Sequence, residues 1–378
     1  MTSRVLSLEF TPMGAQAPLA LPIGLGHFLP WFTLDGDGFP LEASEAATIA
    51  HPPGVEDHRH WRDSRAVYRR THRHLPEIGP YDSRDPVTID WQFAAMNRAG
   101  LSGLIINWYG QNSIENVITL AVLRQLERWN QRHPDRSLCY CLSIDSQAQR
   151  PTEGKTPASL EEDLRYIQQH LMRPGYLLRD GRPLFLCFPY ENNTPAWLEA
   201  FDACFGRDRY DFHWMNDAPG QGETGCYLWV EPDAHAVDHA SPYPWQDPDN
   251  CGAARATQRY RDWSAESLGH GYGIGGVWPG FDDTLVAWAW KPDRPADEVR
   301  PRVIARHNSK GSCYEQLWGA YLAAMRDPAV LPLPIVQVVT WNDWAESTQI
   351  EPSIDHGQAA IHATRHYLEH ARRDWRPA

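Results

Sequence analysis

The sequence predicts an α/β chain folded as a (β/α)8 barrel, with long loops at the C-terminal face of its strands. Three observations carry this. Eight short apolar runs, rich in β-branched and aromatic residues, recur along the chain. Most are continuously apolar instead of alternating, as suits strands buried on both faces. Helical stretches lie between many of them, which implies a parallel sheet, and eight strands imply a closed one. A chain of 378 residues suits one barrel domain over 1–378, with an N-terminal lead at 1–20.

In order, the strand candidates are 23–31, 104–109, 138–144, 183–189, 210–215, 226–230, 272–278 and 335–341. The helical candidates are 87–99, 114–131, 160–171, 195–203, 253–268 and 314–325. The first helix has an explicit start: Asp85 can cap it, Pro86 sits at its first position and Gly100 ends it. Ile89, Phe93 and Met96 share one of its faces. The stretch 33–81 is rich in Pro, His and Arg and lacks periodicity, so it reads as a long loop above the first strand, where loops usually serve function.

Composition narrows the partners. Hydrophobic residues at 42% and charged residues at 22% describe a globular chain. The net charge of −13 disfavours nucleic acid and anionic membrane surfaces, which call for a basic footprint. No run reaches membrane-spanning length, and Glu9 and Pro12 interrupt the N-terminus before a signal-peptide core can form. A cytoplasmic location is expected, or a secreted one if a leader precedes the chain. Seven Cys without metal-type spacing read as buried free thiols. The 17 Trp stand out, since an indole can fill a core or stack on a sugar ring.

In a barrel the C-terminal ends of the strands form the active face. Acids sit there at Asp145, at Glu231 and Asp233, at Asp282 and Asp283, and at Asp343 and Glu346. The first two strands end instead in His27 and Trp31, and in Asn107, Trp108 and Tyr109. Carboxylates ringed by Trp, Tyr and Asn suit cleavage of a glycosidic bond, in which one carboxyl stays protonated and another ionised while aromatics stack on the sugar. An isolated Asp-x-x-Glu is ordinarily a turn cap beside a surface ion pair. In "VVTWNDWAESTQIEPS" (338–353) the pair follows the last strand among Trp341, Asn342 and Trp344, which favours Asp343 and Glu346 as catalytic. Trp31, Trp108, Tyr109, Trp278 and Trp344 are the candidate sugar platform, with His27, Asn107, Asp145, Trp341 and Asn342 as further substrate contacts. Asp282 and Asp283 would position substrate, one of them ordering the "PGFDDT" turn.

Two features carry less weight. His-x-His occurs at 58–60 and 72–74 without nearby Cys, so no metal and no cofactor is expected. The glycines of "GHGYGIGG" (269–276) enter a strand where a dinucleotide loop must follow one, and read as a flexible strand entry.

The segments "HLPEIGPYDSRDPVTIDWQFAAMNRAGLSGLIINWYG" (74–110), "GFDDT" (280–284) and "TWNDWAESTQIEPS" (340–353) resemble, in the same order, blocks of glycoside hydrolase families 99 and 71. Those families are α-acting glycanases on (β/α)8 barrels. The resemblance implies an oligo- or polysaccharide substrate, Glu346 as general acid, and Asp343 as the base acting on water or on the sugar's 2-hydroxyl. Family 99 usually carries Glu where Asp343 stands, and Trp-Asn-Asp-x-x-Glu-Ser is closer to family 71. The same block also resembles WbsX-type proteins of surface-polysaccharide assembly, which implies a glycosyltransferase as the alternative; a silent sugar-binding barrel is a third reading.

Overall fold

A computed structural model describes residues 8–34, 60–61, 73–145, 148, 158–188, 194–216, 224–233, 250–266, 271–284, 303–306 and 310–375. Eight parallel strands close on themselves: β1 (Ile23–Phe28), β2 (Gly103–Trp108), β3 (Cys139–Asp145), β4 (Arg182–Phe188), β5 (Asp211–Met215), β6 (Gly225–Tyr227), β7 (Ile274–Val277) and β8 (Ile335–Val338). Each pairs with its neighbours in chain order, and β8 returns to β1 with Ile335 opposite Ile23 and Val338 opposite Gly26. All eight expected strands are present, and the continuous apolar runs are buried on both faces as anticipated.

Seven helices among the described residues surround the barrel: α1 (Pro86–Arg98), α2 (Ile114–Arg132), α3 (Leu160–Tyr166, extended by a π turn over Ile167–Leu171), α4 (Thr194–Phe205), α5 (Ala253–Glu266), α6 (Cys313–Arg326) and α7 (Ala359–Asp374). The Asp85 side chain accepts the backbone N–H groups of Val87 and Thr88, Pro86 opens α1, and Gly100 follows it at φ +74°. Ile89, Phe93 and Met96 are buried together. The last helix, α7, was not anticipated. It packs against α1 and α6 and closes the helical ring.

Two expectations are corrected. The lead at 1–20 is not a mere extension, because Phe10–Pro12 pairs antiparallel with Leu177–Arg179, which in turn pairs with the start of β4. This small sheet covers the foot of the barrel, where Arg179 reaches Asp211 and Tyr272. The glycines entering β7 provide room, not flexibility: a Cβ on Gly275 would lie 2.5 Å from the Tyr321 ring, and one on Gly276 2.5 Å from the Leu228 carbonyl oxygen. In the stretch 33–81, Thr33–Leu34 pairs with His60–Trp61, and residues 35–59 and 62–72 lie outside the described residues, the first His-x-His motif mostly among them. No helix among the described residues is long and apolar enough to cross a membrane.

Candidate active site

The mouth of the barrel is built around the excursion that follows β8. Its neck is closed by Thr340 N–H donating to the Thr348 carbonyl (3.0 Å) and Ile350 N–H to the Thr340 carbonyl (3.0 Å). Arg306 spans the outside of the excursion, donating to the carbonyls of Gln349 (2.6 Å) and Ser347 (3.3 Å). Ser347 sits at φ +56°, a left-handed conformation that costs a non-glycine residue of order 1–3 kcal/mol and tends to occur at functional turns. Asn342 is tied to β1 by both ends of its amide: Leu29 N–H donates to its Oδ1 (2.8 Å), and its Nδ2 donates to the Leu29 carbonyl (3.0 Å).

Asp343 lies inside this frame, 2% exposed. Its Oδ1 accepts the Glu346 N–H at 2.8 Å, so the carboxylate does cap the turn, and the same bond brings the Glu346 backbone against it. No cationic side chain pairs with Asp343 among the described residues. Burial pushes its pKa up to about 7, against the opposing pull of the Glu346 and Ala345 N–H groups. A carboxyl poised near neutral pH can take or give a proton at little cost. Glu346 follows half-buried, and its carbonyl accepts the Asp282 N–H (2.7 Å), fastening the β7 loop to the β8 turn.

Deeper in the barrel, His27 Nδ1 meets Gln337 Oε1 at 3.2 Å while Gln337 Nε2 donates to the Leu228 carbonyl at 2.6 Å. The glutamine oxygen therefore accepts from an Nδ1–H, leaving Nε2 as the unprotonated nitrogen. Burial pushes this imidazole down to about 4, against the upward pull of its bonds to Gln337 and Asn107. Asn107 Nδ2 donates to the Tyr109 hydroxyl (2.7 Å) and to Asp145 Oδ2 (3.3 Å). His27 and Asn107 are both buried side by side, and Asn107 interacts with the imidazole.

The structure brings together His27, Trp31, Asn107, Tyr109, Asp145, Asn342, Asp343 and Glu346. It corrects the sugar platform. Trp108 is sealed in the helical layer, donating to Asn116 Oδ1 and stacked on Tyr166. Trp278 donates to the Cys251 carbonyl, and Trp344 donates to Glu351; both are fully buried, as is Trp341. Of the five platform residues, Tyr109 is half-buried and Trp31 is 9% exposed, their rings 6.1 Å apart. Asp282 orders its turn by accepting from Thr284 N–H and Oγ1 and pairs with Arg73 Nε at 2.5 Å, while Asp283 is buried. Glu231 is bound by Arg255 (3.0 Å) and Arg259 (2.9 Å), and Asp233 by the Arg255 N–H, which makes both structural. Trp229, half-buried against His27 (4.7 Å) and Phe188 (4.9 Å), belongs to the mouth and was overlooked. Tyr81, Gln92 and Glu351, buried and hydrogen-bonded together behind Trp344, were overlooked as well. Trp229 lies in the "CYLWV" run, where its place just beyond a strand end was the available signal.

No family model matches the sequence. The backbone superposes on the family 99 endo-α-mannosidase of Bacteroides thetaiotaomicron in complex with bis-tris-propane, with a TM-score of 0.60 at 16% identity over 94% of this chain and 99% of that one. The fold is a (β/α)8 barrel like that of the family 99 enzyme. A second structure of the Bacteroides thetaiotaomicron enzyme gives a TM-score of 0.58 with the same coverage, and one described as a glycoside hydrolase-like protein gives 0.53 at 12% identity, covering 94% and 97%. Among curated proteins, the chain is 22% identical over 305 residues to a human glycoprotein endo-α-1,2-mannosidase-like protein. That alignment takes in 74% of this chain and 57% of the human protein, so the chain spans a little over half of that relative's length.

Proposed function

We propose that this chain is a glycoside hydrolase that cleaves α-linked glycans of the α-mannan or α-glucan type. The observation that carries the reading is Asp343, a buried carboxyl with a pKa pushed up to about 7, bonded to backbone N–H groups and set three residues from Glu346 at the barrel mouth. Glu346 gives its proton to the glycosidic oxygen as the bond from that oxygen to the anomeric carbon breaks. Asp343, ionised, takes the proton of the attacking oxygen, from water or from the sugar's own 2-hydroxyl. Trp31, Tyr109 and Trp229 bind sugar faces, above a floor formed by His27 and Asn107. The names of the relatives favour α-mannosides as the first substrates to try.

The test incubates wild type and Glu346→Gln with α-mannan and α-1,3-glucan oligosaccharides and follows new anomeric protons by NMR. Release by wild type and its near-complete loss in the variant supports the reading, and the first anomer formed gives the stereochemistry. No release from any substrate, or equal release by both proteins, overturns it.

A further inference from the structure

We infer that Glu351 is a positioning residue for this site, holding through the Trp344 indole the turn that carries Asp343 and Glu346. The catalytic meaning of this rests on the function proposed above; the link itself is one of geometry. Glu351 is 1% exposed and accepts three hydrogen bonds from three separate parts of the chain. The Tyr81 hydroxyl donates at 2.8 Å from the segment ahead of α1, Gln92 Nε2 at 2.7 Å from α1, and Trp344 Nε1 at 2.8 Å from the turn itself. Three converging donors call for a group that only accepts, which an ionised carboxylate is.

Trp344 directly follows Asp343, and its ring is packed among Leu29, Phe32 and Tyr81. Its own N–H donates to the Asn342 carbonyl at 3.0 Å. Fixing the indole therefore fixes the backbone on which the N–H groups of Ala345 and Glu346 approach the Asp343 carboxylate. The titratable group in contact with Glu351 is Tyr81, ahead of α1; α1 contributes the neutral Gln92 and the turn the neutral Trp344. Burial pushes Glu351 itself up to about 7, against the downward pull of its three donors.

Two variants test the inference, each checked for a cooperative melt. Glu351→Gln removes the charge at constant shape, and Trp344→Phe keeps the carboxylate while deleting the indole N–H. Each is expected to lower kcat about 10- to 100-fold with KM nearly unchanged, as a small misplacement of reacting groups does. The double variant should be no worse than the more damaged single one, because both act through one bond. A second readout, the carbon-13 titration of the Asp343 carboxyl, needs no substrate. Losing a neighbouring negative charge alone lowers the Asp343 midpoint, whereas losing the N–H bonds of a loosened turn raises it. A raised midpoint in both variants supports positioning even if wild type cleaves no glycan, an outcome that would remove only the proposed activity. A lowered or unchanged midpoint, or additive losses in kcat, would overturn the inference.

Discussion

Asp211 at the foot of the barrel and Asp343 at its mouth are both buried carboxylates, 0% and 2% exposed. At the foot, Arg179 clasps Asp211 with two bonds of 2.5 and 2.7 Å, and the Tyr272 hydroxyl adds a third at 3.0 Å. At the mouth, Asp343 meets backbone N–H groups and titrates near neutral pH. The difference teaches that burial alone does not make a reactive acid. A buried acid beside a cation is a rivet, and one held by neutral donors is free to change its charge.

Removing the mouth acids tests this contrast hardest. Asp343→Asn and Glu346→Gln are each expected to lower kcat on the order of 10²- to 10⁴-fold, the usual range for a general acid or base, while thermal melting stays close to wild type. Glu231→Gln, which lies at a strand end but is bound by two arginines, should leave kcat within a few-fold. At the foot the pattern reverses. Arg179→Met strands a buried charge and is expected to cost about 3–5 kcal/mol in urea unfolding, with kcat per folded molecule preserved and much of the loss recovered in Arg179→Met/Asp211→Asn.

Titration sharpens the comparison further. Glu351 ionises at about 7 in the folded chain, above its value of about 4.3 when unfolded. The folded state therefore holds the extra proton between these values, and the stability this confers is complete below about pH 4 and lost as pH rises through 7. Relative to Glu351→Gln, wild type should lose on the order of 3 kcal/mol between pH 4 and pH 8, measured by urea titration at each pH. For Asp343, in its proposed role as base, the sign for activity is opposite: a base acts ionised, so kcat/KM should climb as pH rises through about 7, and Asp343→Asn should abolish that limb. The smallest expected effects are those of Trp31→Ala and Trp229→Ala, which remove the proposed sugar contacts. Each should raise KM several-fold to about 10-fold, in keeping with an aromatic contact of order 1 kcal/mol, whereas Trp108→Phe should change stability more than KM.

The barrel was legible in the sequence because strands buried on both faces write themselves as continuous apolar runs, and the acids beyond the last run marked the mouth. The misread tryptophans have a common cause. Side chains alternate along a strand, so Asn107 and Tyr109 face the interior while Trp108, between them, faces Asn116 and Tyr166 in the helical layer. Weighing each aromatic by its closeness to a strand end, without regard to parity, put sealed indoles on the platform. Helix α7 escaped notice because its buried positions, Ala360, Ile361, Thr364, Leu368 and Ala371, are sparse among charged residues. Glu351 escaped because its partners Tyr81 and Gln92 lie 270 and 259 residues away in sequence, a closeness no local pattern records.

The seam at which β8 pairs with β1 joins segments some 310 residues apart. His27 meets Gln337 across it, and Leu29 grips Asn342 just above. The mouth is thus assembled from the two outermost strands, and contacts of such long range form only after much chain entropy has been surrendered. During synthesis, the ribosome must release β8 before β1 has the neighbour that completes the mouth. A nascent or prematurely terminated chain that ends before β8 lacks the Asp343 turn and the seam that holds it, so the proposed site is completed only with ring closure.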